Sequence, residues 1–241
     1  MSETLRIALI AEGPTDRIVI EAALNSILSD RSYVLNQIQP ETCQSFENEL
    51  TFRETGSGWG GVYTWCHQAV TRCGRLEDDP LFFGHEVLII HLDADVAGYT
   101  YEMANISEEI KDLPCEMLCP PPNETADRLR KVILRWIGAI KLPQKVVFCT
   151  PSKSMEAWVV KALFPSDKEA GKKDWECYPT PEKRLAQQPV KKRIQKSVRD
   201  YENNKRELQS RWSSIVQELT EARRFQDEFL QEVQLQEQSA T

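Results

Sequence analysis

Five carboxylates in this chain are spaced in a way that would support metal-dependent chemistry: Glu12, Asp16, Asp93, Asp95 and Glu156. The apolar run Ile7-Ala8-Leu9-Ile10-Ala11 ends in Glu12-Gly13-Pro14-Thr15-Asp16. A second run, Val87-Leu88-Ile89-Ile90-His91-Leu92, ends in Asp93-Ala94-Asp95. A third, Lys145-Val146-Val147-Phe148-Cys149, leads through Pro151-Ser152-Lys153-Ser154 to Glu156. Carboxylates gathered at close range repel and raise one another's pKa, so a fold that collects them needs a counter-charge. Oxygen-only donors suit a hard divalent cation, Mg²⁺ or Mn²⁺, and the lack of histidine among these five argues against zinc. Such a site suits phosphoryl chemistry, with one ion activating water and another steadying the leaving oxygen. Glu12, at the strand end, is the expected chemical group. Asp16 is a candidate for a second metal, although a helix start offers it a capping role. Lys153 would place positive charge near a scissile phosphate, or is an ordinary exposed lysine. Each acid also has a plain reading, as a turn, a cap or a first-turn helix acid; their order along the chain is what joins them.

The elements that would position these residues are those of an α/β fold. Leu5 to Ala11, Val87 to Leu92 and Lys145 to Cys149 read as buried parallel strands, apolar almost throughout. All strand carboxyl ends of a parallel sheet lie on one edge, so the five acids are expected to converge. Asp16 to Leu28 and Thr125 to Ile140 carry apolar residues at helical spacing. Tyr33-Val34-Leu35 and Leu50-Thr51-Phe52 read as short strands. Gly56 to Gly61 reads as a loop before a helix over Val62 to Val70. Such a loop would cradle phosphate on backbone N–H groups or serve as a mobile connection, and it lacks the Gly-Lys-Ser/Thr of a P-loop. Tyr99 to Lys111 is expected to be a polar helix, Pro120-Pro121-Pro122 a rigid turn, and Met155 to Leu163 a helix. Residues 165–189 read as a long loop, Lys191 to Tyr201 as a basic helical stretch, Trp212 to Val233 as one amphipathic helix packed on the domain, and Gln234 to Thr241 as a frayed tail. The expected organisation is a domain over 1–165 with a packed C-terminal loop and helical extension over 166–241.

The formal net charge of −7 removes a whole-chain basic field for nucleic acid, but metal-binding carboxylates contribute to that count. The basic residues Lys191, Lys192, Arg193, Lys196 and Arg199 would track a phosphate backbone or form a solvated helix face. Seven cysteines, Cys43, Cys66, Cys73, Cys115, Cys119, Cys149 and Cys177, are odd in number and irregular in spacing. That argues against a disulfide framework and against zinc ligation, and favours reduced, mostly buried thiols. No apolar run reaches membrane-spanning length, and Met1 to Arg6 shows no signal-peptide pattern, so a cytoplasmic protein with no membrane partner is expected.

The order of these motifs resembles the Toprim domain of topoisomerases, primases and the OLD-type nucleases. Glu12-Gly13 matches the Toprim glutamate motif and Asp93-Ala94-Asp95 its paired aspartates, while Asp16 matches the additional acid of the OLD-like branch. Ser154-Met155-Glu156-Ala157-Trp158 is similar to a later acidic motif of small stand-alone Toprim-like proteins, and Ala222 to Leu230 to their helical ending. The resemblance covers about residues 5–163, with little of it in 30–85. It implies a Toprim, Rossmann-like sheet and Mg²⁺ held by Glu12, Asp93 and Asp95, within the metal site of Glu12, Asp16, Asp93, Asp95 and Glu156 that the strand ends suggest. It also implies phosphodiester cleavage of DNA or RNA, with Glu12 as general base or metal ligand. Lacking room for a topoisomerase tyrosine domain or a primase zinc module, the chain reads as an endonuclease. The resemblance further implies an ATPase partner in prokaryotic anti-phage defence. The alternative is a non-cleaving metal- or nucleotide-binding regulatory subunit that docks a partner through its C-terminal helices. A third reading is a small-molecule phosphotransferase or phosphatase.

Overall fold

Three apolar runs and a half-buried fourth segment pair into one parallel sheet in the computed structural model, which describes residues 4–40, 42–44, 50–52 and 56–239. Strands β1 (Leu5–Ile10), β2 (Tyr33–Gln39), β5 (Val87–His91) and β6 (Val146–Cys149) lie in the order β2-β1-β5-β6, all parallel. Two further strands, β3 (Thr42–Gln44) and β4 (Leu50–Phe52), form a separate antiparallel pair. The fold is therefore α/β, with a Rossmann-like parallel sheet flanked by helices.

Side chains alternate between the two faces of the sheet. Leu5, Ile7, Leu9, Val87, Ile89, Val147 and Cys149 face one core. It is completed by helices α1 (Pro14–Ile27), α5 (Glu156–Leu163), α7 (Val198–Glu218) and α8 (Thr220–Ser239). Ala8, Ile10, Leu88, Ile90, Val146 and Phe148 face the other core, closed by α2 (Gly58–Cys73) and α4 (Asn123–Trp136). Two short helices, α3 (Leu81–Gly84) and α6 (Pro181–Ala186), complete the α-helices among the described residues. Burial on both faces explains why β1, β5 and β6 are uninterrupted apolar runs. The sheet edge at β6 is covered by α8, whose Glu232 accepts the Lys145 N–H at 2.8 Å.

The structure departs from the sequence reading in several places, each with a local cause. The glycines do not form a loop up to Gly61, because α2 already begins at Gly58. A Cβ on Gly61 would sit 2.5 Å from the Gln39 side-chain nitrogen and 2.8 Å from the Gly56 carbonyl, so only glycine permits this approach. The helix expected over 99–111 is one short turn at Tyr101–Ala104, ended by Asn105 in the left-handed region at φ 57°. The polar residues beyond it pair instead: Asp112 and Glu108 accept from Arg135, and the buried Tyr101 hydroxyl donates to Asp112 at 2.8 Å.

The loop expected over 165–189 contains a turn at Trp175–Cys177 and helix α6. The first is pinned by the Trp175 indole donating to the Ala157 carbonyl at 3.0 Å. The basic stretch 191–201 is not one helix. Helix α7 starts only at Val198, where Ser197 accepts the Asp200 N–H. The final amphipathic segment is two helices separated at Leu219, which is extended. The break is held by Glu176, whose carboxylate accepts the first N–H groups of α8, from Thr220 at 2.7 Å and Glu221 at 3.1 Å. Helix α8 continues through the expected tail to Ser239. Cys119 and Cys177, 58 residues apart, form a disulfide, contrary to the reading of reduced thiols. Among the described residues, no helix is long and apolar enough to cross a membrane.

Candidate functional site

Glu12 lies two residues past β1 and Asp93 two residues past β5, and because these strands are adjacent and parallel the two acids meet. The Glu12 carboxylate accepts the Asp93 N–H at 2.7 Å. Asp16, at the third position of α1, accepts the Gly13 N–H at 2.8 Å and is buried. It therefore caps its own helix, while its Oδ1 is buried and has no hydrogen-bond partner. Asp93 Oδ1 accepts the Met155 N–H at 2.9 Å, which ties the end of β5 to the start of α5. The Asp93 turn is stitched to the loop after β6 by the Ala94 N–H to the Pro151 carbonyl and the Asp95 N–H to the Lys153 carbonyl, both 3.0 Å. Glu156, at the first position of α5, is fully buried. Its Oε1 accepts both the Tyr201 hydroxyl and the Lys196 ammonium at 2.9 Å, and its Oε2 has no partner.

Two basic groups of this site are not legible in the local sequence pattern. His91, the last residue of β5, is fully buried, with Nδ1 3.8 Å from Asp16 and Nε2 3.3 Å from Asp93. A histidine closing an apolar run reads as core; its position two residues before Asp93 is the signal that would have found it. Lys196 was grouped with a phosphate-binding stretch, yet its side chain turns inward to Glu156. Lys153, expected near a scissile phosphate, instead donates to Glu116 at 2.7 Å. Of the other basic residues, Arg193 donates to the Gln188 carbonyl and Lys192 is exposed, whereas the side chain of Lys191 lies outside the described residues. These residues do not form a continuous helical face.

Charge crowding shows in the ionisation of these groups. Burial holds the Glu12 carboxyl well above the usual carboxylate range, and the charges of Asp93 and Asp16 push it the same way. Asp16 is raised to about 6, chiefly by burial, with His91 opposing. Asp95 is raised to about 7 by partial loss of water and by Asp93, although the residue remains exposed. Burial alone would lower His91, but its contact with Asp93 and the charge of Asp16 outweigh that and raise it. Burial likewise opposes the Lys196 ammonium, and Glu156, Asp93 and Asp16 overcome it, so this lysine is charged.

The arrangement is an acid-rich sheet edge balanced by one lysine and one histidine. As the side chains stand, no three His, Cys, Asp or Glu groups among the described residues are placed to hold a metal ion. Four of the acids are engaged with backbone N–H groups, a tyrosine or a lysine. The donor set is nonetheless of the hard oxygen kind, and the buried oxygens of Asp16 and Glu156 that lack a hydrogen-bond partner are the ones that would take a cation. Comparison with known proteins finds no match among family models, curated proteins or solved structures.

Proposed function

We propose that this chain is a Mg²⁺- or Mn²⁺-dependent nuclease of Toprim type that cleaves phosphodiester bonds. The observation that carries the proposal is the meeting of Glu12, Asp16, Asp93 and Glu156 around buried, unpartnered carboxylate oxygens, with Asp95 beside them. These residues would hold the ion, which when bound supplies an activated water and charge neutralisation at phosphate. Glu12, whose carboxyl burial holds above the usual carboxylate range, is a stronger base than an ordinary carboxylate and is suited to take a proton from the attacking water. Lys196, rather than Lys153, supplies the positive charge nearest the acids, and Tyr201 fixes Glu156 through the oxygen it shares with Lys196. His91, buried 3.8 Å from Asp16 and 3.3 Å from Asp93, would place a positive charge between these two carboxylates when protonated.

The Toprim resemblance adds an ATPase partner and a role in prokaryotic anti-phage defence to the proposal. Co-purification with a candidate ATPase tests that part. A second reading, a non-cleaving metal- or nucleotide-binding regulatory subunit that docks a partner through its C-terminal helices, is supported by the engagement of Glu12, Asp93 and Glu156 in hydrogen bonds between elements. The experiment is incubation of the purified protein with plasmid, linear DNA and RNA, with Mg²⁺, Mn²⁺ or a chelator. Metal-dependent cutting that disappears in Glu12→Gln and Asp93→Asn supports the nuclease. Absence of cutting of every substrate, with or without the ATPase, supports the regulatory subunit.

A further inference from the structure

The loop between β6 and α5 is gripped from two sides. Lys153 donates to Glu116 at 2.7 Å, and its neighbour Ser152 donates to Glu176 at 3.1 Å. Glu116 lies three residues before Cys119 and Glu176 immediately before Cys177, and these two cysteines are joined by the disulfide. The two gripping segments are therefore one covalent unit closed over residues 152 and 153.

Each segment is also anchored to an element of the acid site. The first hangs on the Asp93 turn, through the Cys115 and Glu116 N–H groups to the Ala97 carbonyl at 2.7 and 3.1 Å. The second is fixed to α5 by Trp175 and to the start of α8 by Glu176. The gripped loop in turn supplies the Pro151 and Lys153 carbonyls to Ala94 and Asp95, and the Met155 N–H to Asp93. We propose that the Cys119–Cys177 disulfide is a redox clamp, whose opening loosens the 150–155 loop and with it the placement of Asp93, Asp95 and Glu156.

The chemistry is thiol–disulfide exchange with a dithiol reductant. One thiolate of the reductant attacks a sulfur of the pair, and the other cysteine leaves as thiolate and takes up a proton. The second reductant thiolate then displaces the remaining cysteine, which is protonated in its turn. Two electrons and two protons pass to the pair, and the reductant becomes a disulfide. Both cysteines are partly exposed and open to this attack. Cys115, four residues from Cys119, is pushed up to about 11 by burial and by Asp112, so it stays protonated and does not capture the exchange.

The consequence for cleavage rests on the nuclease reading; the consequence for the loop does not. The test is hydrogen exchange by mass spectrometry on the full chain, oxidised and after dithiothreitol, with far-UV circular dichroism as a control for folding. Non-reducing peptide mapping verifies the bond, and Cys119→Ser/Cys177→Ser serves as a permanently open form. We expect a linked Cys119–Cys177 peptide and a far-UV spectrum unchanged by reduction. Exchange at Ala94, Asp95 and Met155 should be roughly tenfold faster after reduction, and the double variant should match the reduced protein with or without dithiothreitol. Unchanged exchange in these amides, two free thiols in the untreated protein, or global loss of the far-UV signal on reduction would each overturn the clamp. Faster exchange with no cutting in either state would leave the clamp and remove the nuclease; cutting with unresponsive exchange would do the reverse.

Discussion

Lys196→Met removes the ammonium from the acid cluster while keeping most of the aliphatic stem. Its partner, Glu156, is fully buried, whereas the lysine side chain is 48% exposed. Breaking a fully buried ion pair costs about 3–5 kcal/mol, and an exposed pair is worth roughly 0–1 kcal/mol. With one partner inside and the other half in water, a loss of about 2 kcal/mol at neutral pH is expected. For a chain of this size that corresponds to a fall in Tm of roughly 4–8 °C. Glu156, Asp93 and Asp16 hold the lysine above its ordinary range, so it stays charged through neutrality, and its contribution is lost only as pH rises through that raised value or as the neighbouring carboxylates take up protons in acid. The assay is thermal unfolding followed by circular dichroism, at pH 4 and pH 8, with and without Mg²⁺. At pH 4 Asp16 and Asp95, raised to about 6 and about 7, are largely protonated, so part of the deficit of the variant should disappear. At pH 8 Mg²⁺ should raise the Tm of the variant more than that of the parent, because the cation takes over the missing charge. Equal destabilisation at both pH values, or an identical Mg²⁺ response, would refute the view that Lys196 serves as counter-charge to the acids.

Asp16→Asn should stabilise the metal-free protein at pH 8, by up to about 3 kcal/mol for a shift to about 6. The sign follows from linkage: with the folded pKa above the unfolded one, the stabilising contribution is complete below about pH 4 and lost as pH rises through about 6. Urea titrations across that range measure it, and an asparagine variant no more stable than the parent at pH 8 would contradict it. Trp158→Ala should cost about 3–5 kcal/mol, because Trp158 is buried with its ring centroid 5.4 Å from Trp212 and 6.3 Å from Phe225, joining α5 to the C-terminal helices. A loss below about 1 kcal/mol in urea unfolding would show that this cluster does not fasten the helices to the sheet.

What was legible in the sequence was whatever depends on local pattern. Strands β1, β5 and β6 are buried on both faces, so each is an apolar run that ends where the chain leaves the sheet, and Glu12, Asp93, Asp95 and Glu156 follow from those ends. Lys196 was not legible as their counter-charge, because it stands 40 residues after Glu156 at a bend before α7, whose approach is set by burial of Ile194 and by packing of α7 on α1 and α5. His91 looked like part of a core strand, and it is one; only the neighbouring helix α1 brings Asp16 to its ring. Cys119 and Cys177 carry no motif, since their meeting depends on two loops anchored to different elements. The region 99–111 has the composition of a helix surface, but Glu108 and the adjacent Asp112 pair with Arg135 of α4, a partner that no window on the sequence contains.

The central claim, that the acids at the carboxyl edge of the sheet hold a divalent cation, is tested most directly by titrating Mn²⁺ into the purified protein and following free Mn²⁺ by electron paramagnetic resonance. Saturable binding by the parent, displaced by Mg²⁺ and lost in Glu12→Gln/Asp93→Asn, is the predicted result. A parent chain that leaves the free Mn²⁺ signal unchanged, or a double variant that binds as well as the parent, would contradict it.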